Sequence, residues 1–120
     1  MGIRWVNVVR RASVNDEFYL TVPHRVAGLT EHVVTTYRNT GLITKNSYSE
    51  SPDRLTRVTV IEFADQAAYD QYHADPVIQS YKQHRSSWFA ANPACVNVAE
   101  ITESTDQACN VVQYFLHGLV

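Results

Sequence analysis

Six side chains in this sequence have the chemistry of a small-molecule site: Asn7, in an apolar run near the start, and Tyr72, His73, His84, Arg85 and Trp88, within one later stretch. An imidazole titrates near neutrality and can take a phenolic or acidic C–H proton, so His73 is a candidate general base able to make an oxygen-reactive carbanion. Tyr72 can orient or protonate a phenol-like substrate. Asn7 both donates and accepts, and can hold a substrate carbonyl or enolate oxygen. These three are the candidate catalytic residues. Arg85 can pair with a carboxylate or an anionic oxygen, Trp88 can stack on an aromatic ring, and His84 adds a second imidazole, which makes three candidate substrate-binding residues. Plainer uses stand beside these: backbone or water partners for Asn7, core packing for Tyr72 and Trp88, an ion pair for Arg85, and bracing of the Asp75-Pro76 break for His73.

No metal is expected to join them. Eleven residues separate His73 from His84, which on an unbroken helix restores nearly the same face but leaves roughly 16 Å along the axis. His24 and His32 are also too far apart for one ion and read as surface or dimer-rim residues. Cys95 and Cys109 lack CxxC spacing and a neighbouring His cluster, so they read as reduced thiols, with a disulfide between them as the alternative. The sequence has no GxGxxG, P-loop, HExxH or GxSxG pattern, which argues against nicotinamide, nucleotide, zinc-protease and serine-hydrolase chemistry.

With 120 residues, 45% of them hydrophobic and 18% charged, the chain suits one domain with one core. Ten basic against twelve acidic residues give a net charge of -2 with no basic stripe, which argues against nucleic acid as a partner. The apolar run at the N-terminus is too short for a signal peptide and nothing approaches a membrane span, so no membrane partner and a cytoplasmic location are expected.

The elements that must position these residues run β, α, β, β, α, β, followed by a tail. Residues 3 to 11 alternate as a first strand, with Val6 and Val8 on one face and Ile3, Trp5, Asn7 and Val9 on the other. Residues 12 to 22 read as a loop with a possible helical turn. Val26, Leu29, Val33 and Tyr37 recur at helical spacing, which predicts a helix over 23–39 with Gly28 weakening its middle and Gly41 in a left-handed conformation just past its end. Residues 42–51 and 54–63 predict an antiparallel hairpin turning at Ser51-Pro52-Asp53. Asp65 caps a second helix, which Asp75-Pro76 interrupts and restarts, and Asn92-Pro93 ends it. A last strand follows over 95–102.

Two βαβ-like halves joined by a hairpin predict an α+β, ferredoxin-like βαββαβ fold: a four-stranded antiparallel sheet with both helices on one face. The other face, apolar in alternation, can be buried by a second copy, so a homodimer forming a dimeric α/β barrel is expected. Residues 1–103 are read as one domain. The apolar tail, 104–120, is expected to pack on that domain or on the dimer partner.

The stretch from Val58 to Tyr81, VTVIEFADQAAYDQYHADPVIQSY, resembles the strand, acidic cap, helix, His, Pro-marked break and second helix of the dimeric α/β barrel superfamily, and most closely its antibiotic-biosynthesis-monooxygenase-like (ABM) branch. The resemblance implies a cleft between sheet and helices that holds an aromatic or polyketide-like compound. It also implies, for some members, oxidation with molecular oxygen and no metal or flavin, and for others cyclisation, isomerisation, haem degradation or no catalysis. A cofactor-independent oxygenase, or a related cyclase or isomerase, is therefore the leading expectation. A ligand- or haem-binding dimer and a structural dimer recruiting a protein through its tail are the alternatives. In the haem-degrading branch an Asn on the first strand works with a Trp and a His on the second helix. Asn7 matches the Asn, but Tyr72 stands near the Trp position and Lys82 near the His position, so haem is a minor alternative.

Overall fold

The computed structural model describes residues 1–18, 26–109 and 114. Four strands, β1 (Ile3–Arg11), β2 (Ile43–Glu50), β3 (Thr56–Phe63) and β4 (Cys95–Ser104), form one antiparallel sheet in the order β2-β3-β1-β4. Helices α1 (Leu29–Val33), α2 (Gln66–Ala74) and α3 (Pro76–Ala91) pack on one face. The α+β ferredoxin-like order expected from the alternation is therefore present.

Period-two alternation divides β1 as the sequence requires. Trp5 and Val9 enter the helix-side core with Phe63, Tyr72, Ile78 and Trp88, whereas Val6 and Val8 join Val58, Val60, Ala99 and Ile101 on the other face. Val6 and Val8 are both 0% exposed, so the centre of that second face is already closed within a single chain. Its exposed apolar residues, Val96 and Val98, lie toward the start of β4. Beside the valines, buried Arg4 donates to Glu103 at 2.9 Å and to the Gln107 carbonyl at 2.9 Å. The Thr105 N–H donates to the Gly2 carbonyl at 3.1 Å, so the β1–β4 ladder runs one step past the Ile3–Ser104 pair. The expected packing of the tail beyond Cys109 lies, apart from Tyr114, outside the described residues.

The first helix begins later than its periodicity suggests. Residues 23–25 lie outside the described residues, and α1 starts at Leu29 because Gly28 precedes it at φ +77°. A left-handed residue does not propagate a right-handed helix, and glycine adopts that conformation without a Cβ penalty. Gly28 thus marks the helix start and does not weaken its middle. After Val33 the helix widens into a π turn, Val34–Arg38, closed by the Asn39 N–H on the Val34 carbonyl at 2.8 Å. Gly41 then takes φ +79°, as expected.

The β2–β3 turn is tied by Asp53, which accepts from the Ser51 hydroxyl and from the Leu55 N–H at 3.0 Å. Arg54 sits there at φ +63°, so β3 starts at Thr56 and not at residue 54. Asp65 caps α2 by accepting from the Ala68 N–H at 2.8 Å. Asp75, extended at ψ 124°, ends α2 and caps α3 through the Val77 N–H at 2.9 Å. Pro76 occupies the first turn of α3, where its missing N–H costs nothing.

Candidate functional site

Between the helix-side face of the sheet and the helices lies a cleft of about 190 Å³. Its floor is Trp5 of β1, Asn46 of β2, and Thr59 and Ile61 of β3. Its roof is α1 and the π turn, including Leu29, Val33 and Arg38, and Tyr72 and Tyr81 close one side. Apolar and aromatic walls with a few polar groups suit a small ring compound.

Roof and side are held together by Asp75. One of its carboxylate oxygens lies 2.6 Å from the Tyr37 hydroxyl, which donates to it, and 2.6 Å from His32 Nε2. Burial pushes the Asp75 carboxyl up, but the hydrogen bonds from Tyr37, His32 and the Val77 N–H outweigh it and leave the group below its ordinary range. Burial, with Asp75 beside it, pushes the fully buried Tyr37 phenol well above its ordinary range. His32 is therefore a half-buried part of an inter-helix tie and not a free surface residue, while His24 lies outside the described residues.

Tyr72 and His73 are neighbours on α2, so their side chains diverge by about 100°. Tyr72 enters the cleft. His73 packs instead against the edge of Trp5, with ring centroids 5.6 Å apart, and against Tyr69 at 4.2 Å. Its Nδ1 lies 2.5 Å from Lys82 Nζ, and its Nε2 is buried with no partner. Burial first, and the Lys82 charge second, push the imidazole down to about 4, so it is neutral at physiological pH. Burial also lowers the Lys82 ammonium, against the pull of Glu100. As an ammonium Lys82 can only donate, so its partner Nδ1 accepts and the ring proton belongs on Nε2. In that form His73 offers a hydrogen-bond donor. A base there would require the Lys82 proton to leave first.

A separate polar cluster lies over β1 and β4. Asn7, 0% exposed, accepts through Oδ1 from Arg85 Nη2 at 3.1 Å, and Arg85 Nη1 lies 3.3 Å from Glu100 Oε1. With its amide turned to satisfy its neighbours, Asn97 accepts from Arg85 Nη2 at 2.6 Å and donates to Asn7 Oδ1 at 2.8 Å. The guanidinium is thereby held by three residues of the sheet. Trp88, one turn further along α3, packs in the core against Phe89 at 5.4 Å and does not line the cleft. His84 is exposed.

The six sequence candidates thus fall in five places: Tyr72 in the cleft, His73 behind Trp5, Asn7 with Arg85 in the polar cluster, Trp88 in the core and His84 on the exposed side of α3. Missed from the sequence were Trp5, Tyr81, Asn46 and Arg38 as cleft walls, and Lys82 as the partner of His73. The break at Asp75-Pro76 is the signal that could have found Lys82, because it re-phases α3 and brings residue 82, not 84, to the imidazole. Among the described residues no group of three His, Cys, Asp or Glu side chains could hold a metal ion. No helix among them is long and apolar enough to cross a membrane.

No family model matches the sequence, and no curated protein does. Solved structures do match. SnoaB, a cofactor-independent oxygenase from Streptomyces nogalater, superposes with a TM-score of 0.55 at 9% identity over 90% of this chain and 96% of its own. The monooxygenase ActVA-Orf6 of Streptomyces coelicolor, solved with nanaomycin D, gives 0.53 at 18% identity over 89% of each chain. A hydroxynitrile lyase from Passiflora edulis gives 0.53 at 11% identity over 89% of this chain and 95% of its own. At these identities the likeness is one of fold, and the lyase shows that the fold hosts more than one reaction. The element order, the sheet with its helices on one face and these superpositions together show that the chain has the ferredoxin-like α+β fold of these proteins.

Proposed function

We propose that the chain is a small-molecule enzyme, a cofactor-independent oxygenase or a related cyclase or isomerase, that acts on an aromatic or polyketide-like compound in the sheet–helix cleft. The observation that carries this reading is the cleft itself: about 190 Å³ walled by Trp5, Ile61, Tyr72 and Tyr81, with the neutral, Nε2-protonated His73 directly behind Trp5. In the oxygenase reading an electron-rich phenol supplies all four electrons. One atom of molecular oxygen enters the ring carbon to give a quinone, and the other leaves as water. Tyr72 contacts the substrate from α2. His73 supports Trp5 from behind and reaches a developing oxyanion only once Trp5 swings aside, while the Asn7–Arg85 pair holds positive charge near the same strand.

The fold shared with SnoaB and ActVA-Orf6 supports the class of chemistry, and the volume, small for a haem, favours a compact ring over a tetrapyrrole. Two copies are proposed to associate over the second sheet face, where exposed Val96 and Val98 flank the closed valine centre. Sedimentation analysis checks this directly, with Val96→Asp expected to shift the protein toward monomer. The functional test is oxygen uptake with a panel of anthrones and hydroxynaphthalenes. Uptake that follows enzyme concentration and falls in Tyr72→Phe and His73→Ala supports the reading; full uptake in both variants rejects the assigned residues.

A further inference from the structure

The cleft does not end at its apolar walls. Val34, Arg38 and Asn46 also line a second cavity of about 370 Å³, which continues outward past Asn39, Thr44 and Lys45. The two spaces therefore share a boundary with a cation on it. Among the described residues no Asp or Glu lines either one. The β2–β3 register sets Lys45 opposite Glu62, whose carboxylate lies 3.6 Å from Arg4 Nε, and Lys45 lines only the outer cavity. Arg38 lines both, and among the described residues no hydrogen bond, ion pair or ring contact engages its side chain. Five guanidinium donors in a planar fork match a carboxylate, and the Asn46 amide adds a donor at the same boundary.

Resting on the proposed use of the cleft, we infer that its ligand is an aromatic acid whose ring occupies the inner cavity and whose carboxylate sits at the boundary on Arg38. The amphipathic wall then sets orientation as well as affinity, because a ring entering the other way would bury the anion among Trp5, Ile61 and Tyr81. Burying an unpaired charge is strongly unfavourable, so one orientation dominates.

The test uses naphthoate and its neutral analogue naphthamide as probes, titrated into the full chain at low salt and followed by the Trp5 indole N–H resonance. Trp88, off the cleft, serves as the internal control. Naphthoate is expected to bind about three- to tenfold more tightly than naphthamide, the range for a partly solvated, bidentate guanidinium–carboxylate contact. Arg38→Gln, at an exposed position, is expected to remove that preference, so that the two probes bind alike, while Arg38→Lys keeps part of it. Equal binding of the two probes to the parent chain, or a preference that survives Arg38→Gln, overturns the carboxylate assignment while leaving the cleft as a ring site. If neither probe moves Trp5, the ring site and the anion site fall together.

Discussion

The two halves of the helix-side face are built on opposite plans. Toward β2 and β3, under α1 and the π turn, the sheet carries Trp5, Ile61 and Thr59 and leaves space; toward β4, under α3, it carries Asn7, Asn97 and Glu100 and fills the space with Arg85. Both arrangements rest on β1, and Trp5 stands between them with the cleft on one side and His73 on the other. The difference shows where a ligand can go. An apolar cavity loses little when a ring enters it, whereas a buried guanidinium with its partners in place would lose hydrogen bonds to any intruder. The polar half therefore supplies charge and rigidity, and the apolar half takes the molecule.

Removing the partition is the most drastic way to break that contrast. Trp5→Ala is expected to cost about 3–5 kcal/mol of stability by denaturant unfolding, and to merge the cleft with the space beside His73, so that naphthamide titration moves the His73 resonances directly. Retained stability with no such change would mean Trp5 divides nothing. Next comes the roof. Asp75→Ala removes the α3 cap and leaves the buried Tyr37 hydroxyl without its main acceptor, a loss of about 2–4 kcal/mol. It should also loosen α1 in hydrogen exchange more than it loosens β4. Uniform loosening would mean that the tie does not hold the roof.

A double-mutant cycle sharpens the polar half. Asn7→Leu and Arg85→Met, measured singly and together, should show a coupling of about 1 kcal/mol, because each single change takes one hydrogen bond from a group that Asn97 still holds; additivity within error would mean that the pair does not act as one. The smallest expected effect is electrostatic. NMR titration should place the His73 imidazole at about 4, and Lys82→Met should raise it toward its ordinary value without reaching it, since burial is the larger cause. The sign follows from linkage. His73 is depressed in the folded chain, so the stability it contributes is complete above about 6.5, the unfolded value, and is lost as pH falls toward about 4. Lys82→Met should narrow that window from the acid side, an outcome read from unfolding at several pH values.

Where a feature depended on near neighbours in the chain, its residues announced it. Alternation assigned Val6 and Val8 to one face and Trp5 to the other, Asp65 and Asp75 read as caps, and Gly41 read as a left-handed stop; all of these are present. Gly28 misled because apolar periodicity continues through it, and only its backbone conformation reveals that the helix has not yet begun. The candidate site was legible in its residue types but not in its grouping. Asn7 and Arg85 were picked separately and prove to be bonded; Tyr72 and His73 were picked together and prove to face different spaces.

From the order of amino acids alone came the element order, the breaks and the face of each strand, since these follow from backbone sterics and apolar periodicity over a few residues. Tertiary structure decided which side chains meet. The cleft between Trp5 and α1, the tie of Tyr37 and His32 to Asp75, and the bond from Arg85 to Asn7 are contacts between residues far apart in the chain. No local pattern encodes such distances, because they are set by how whole elements pack.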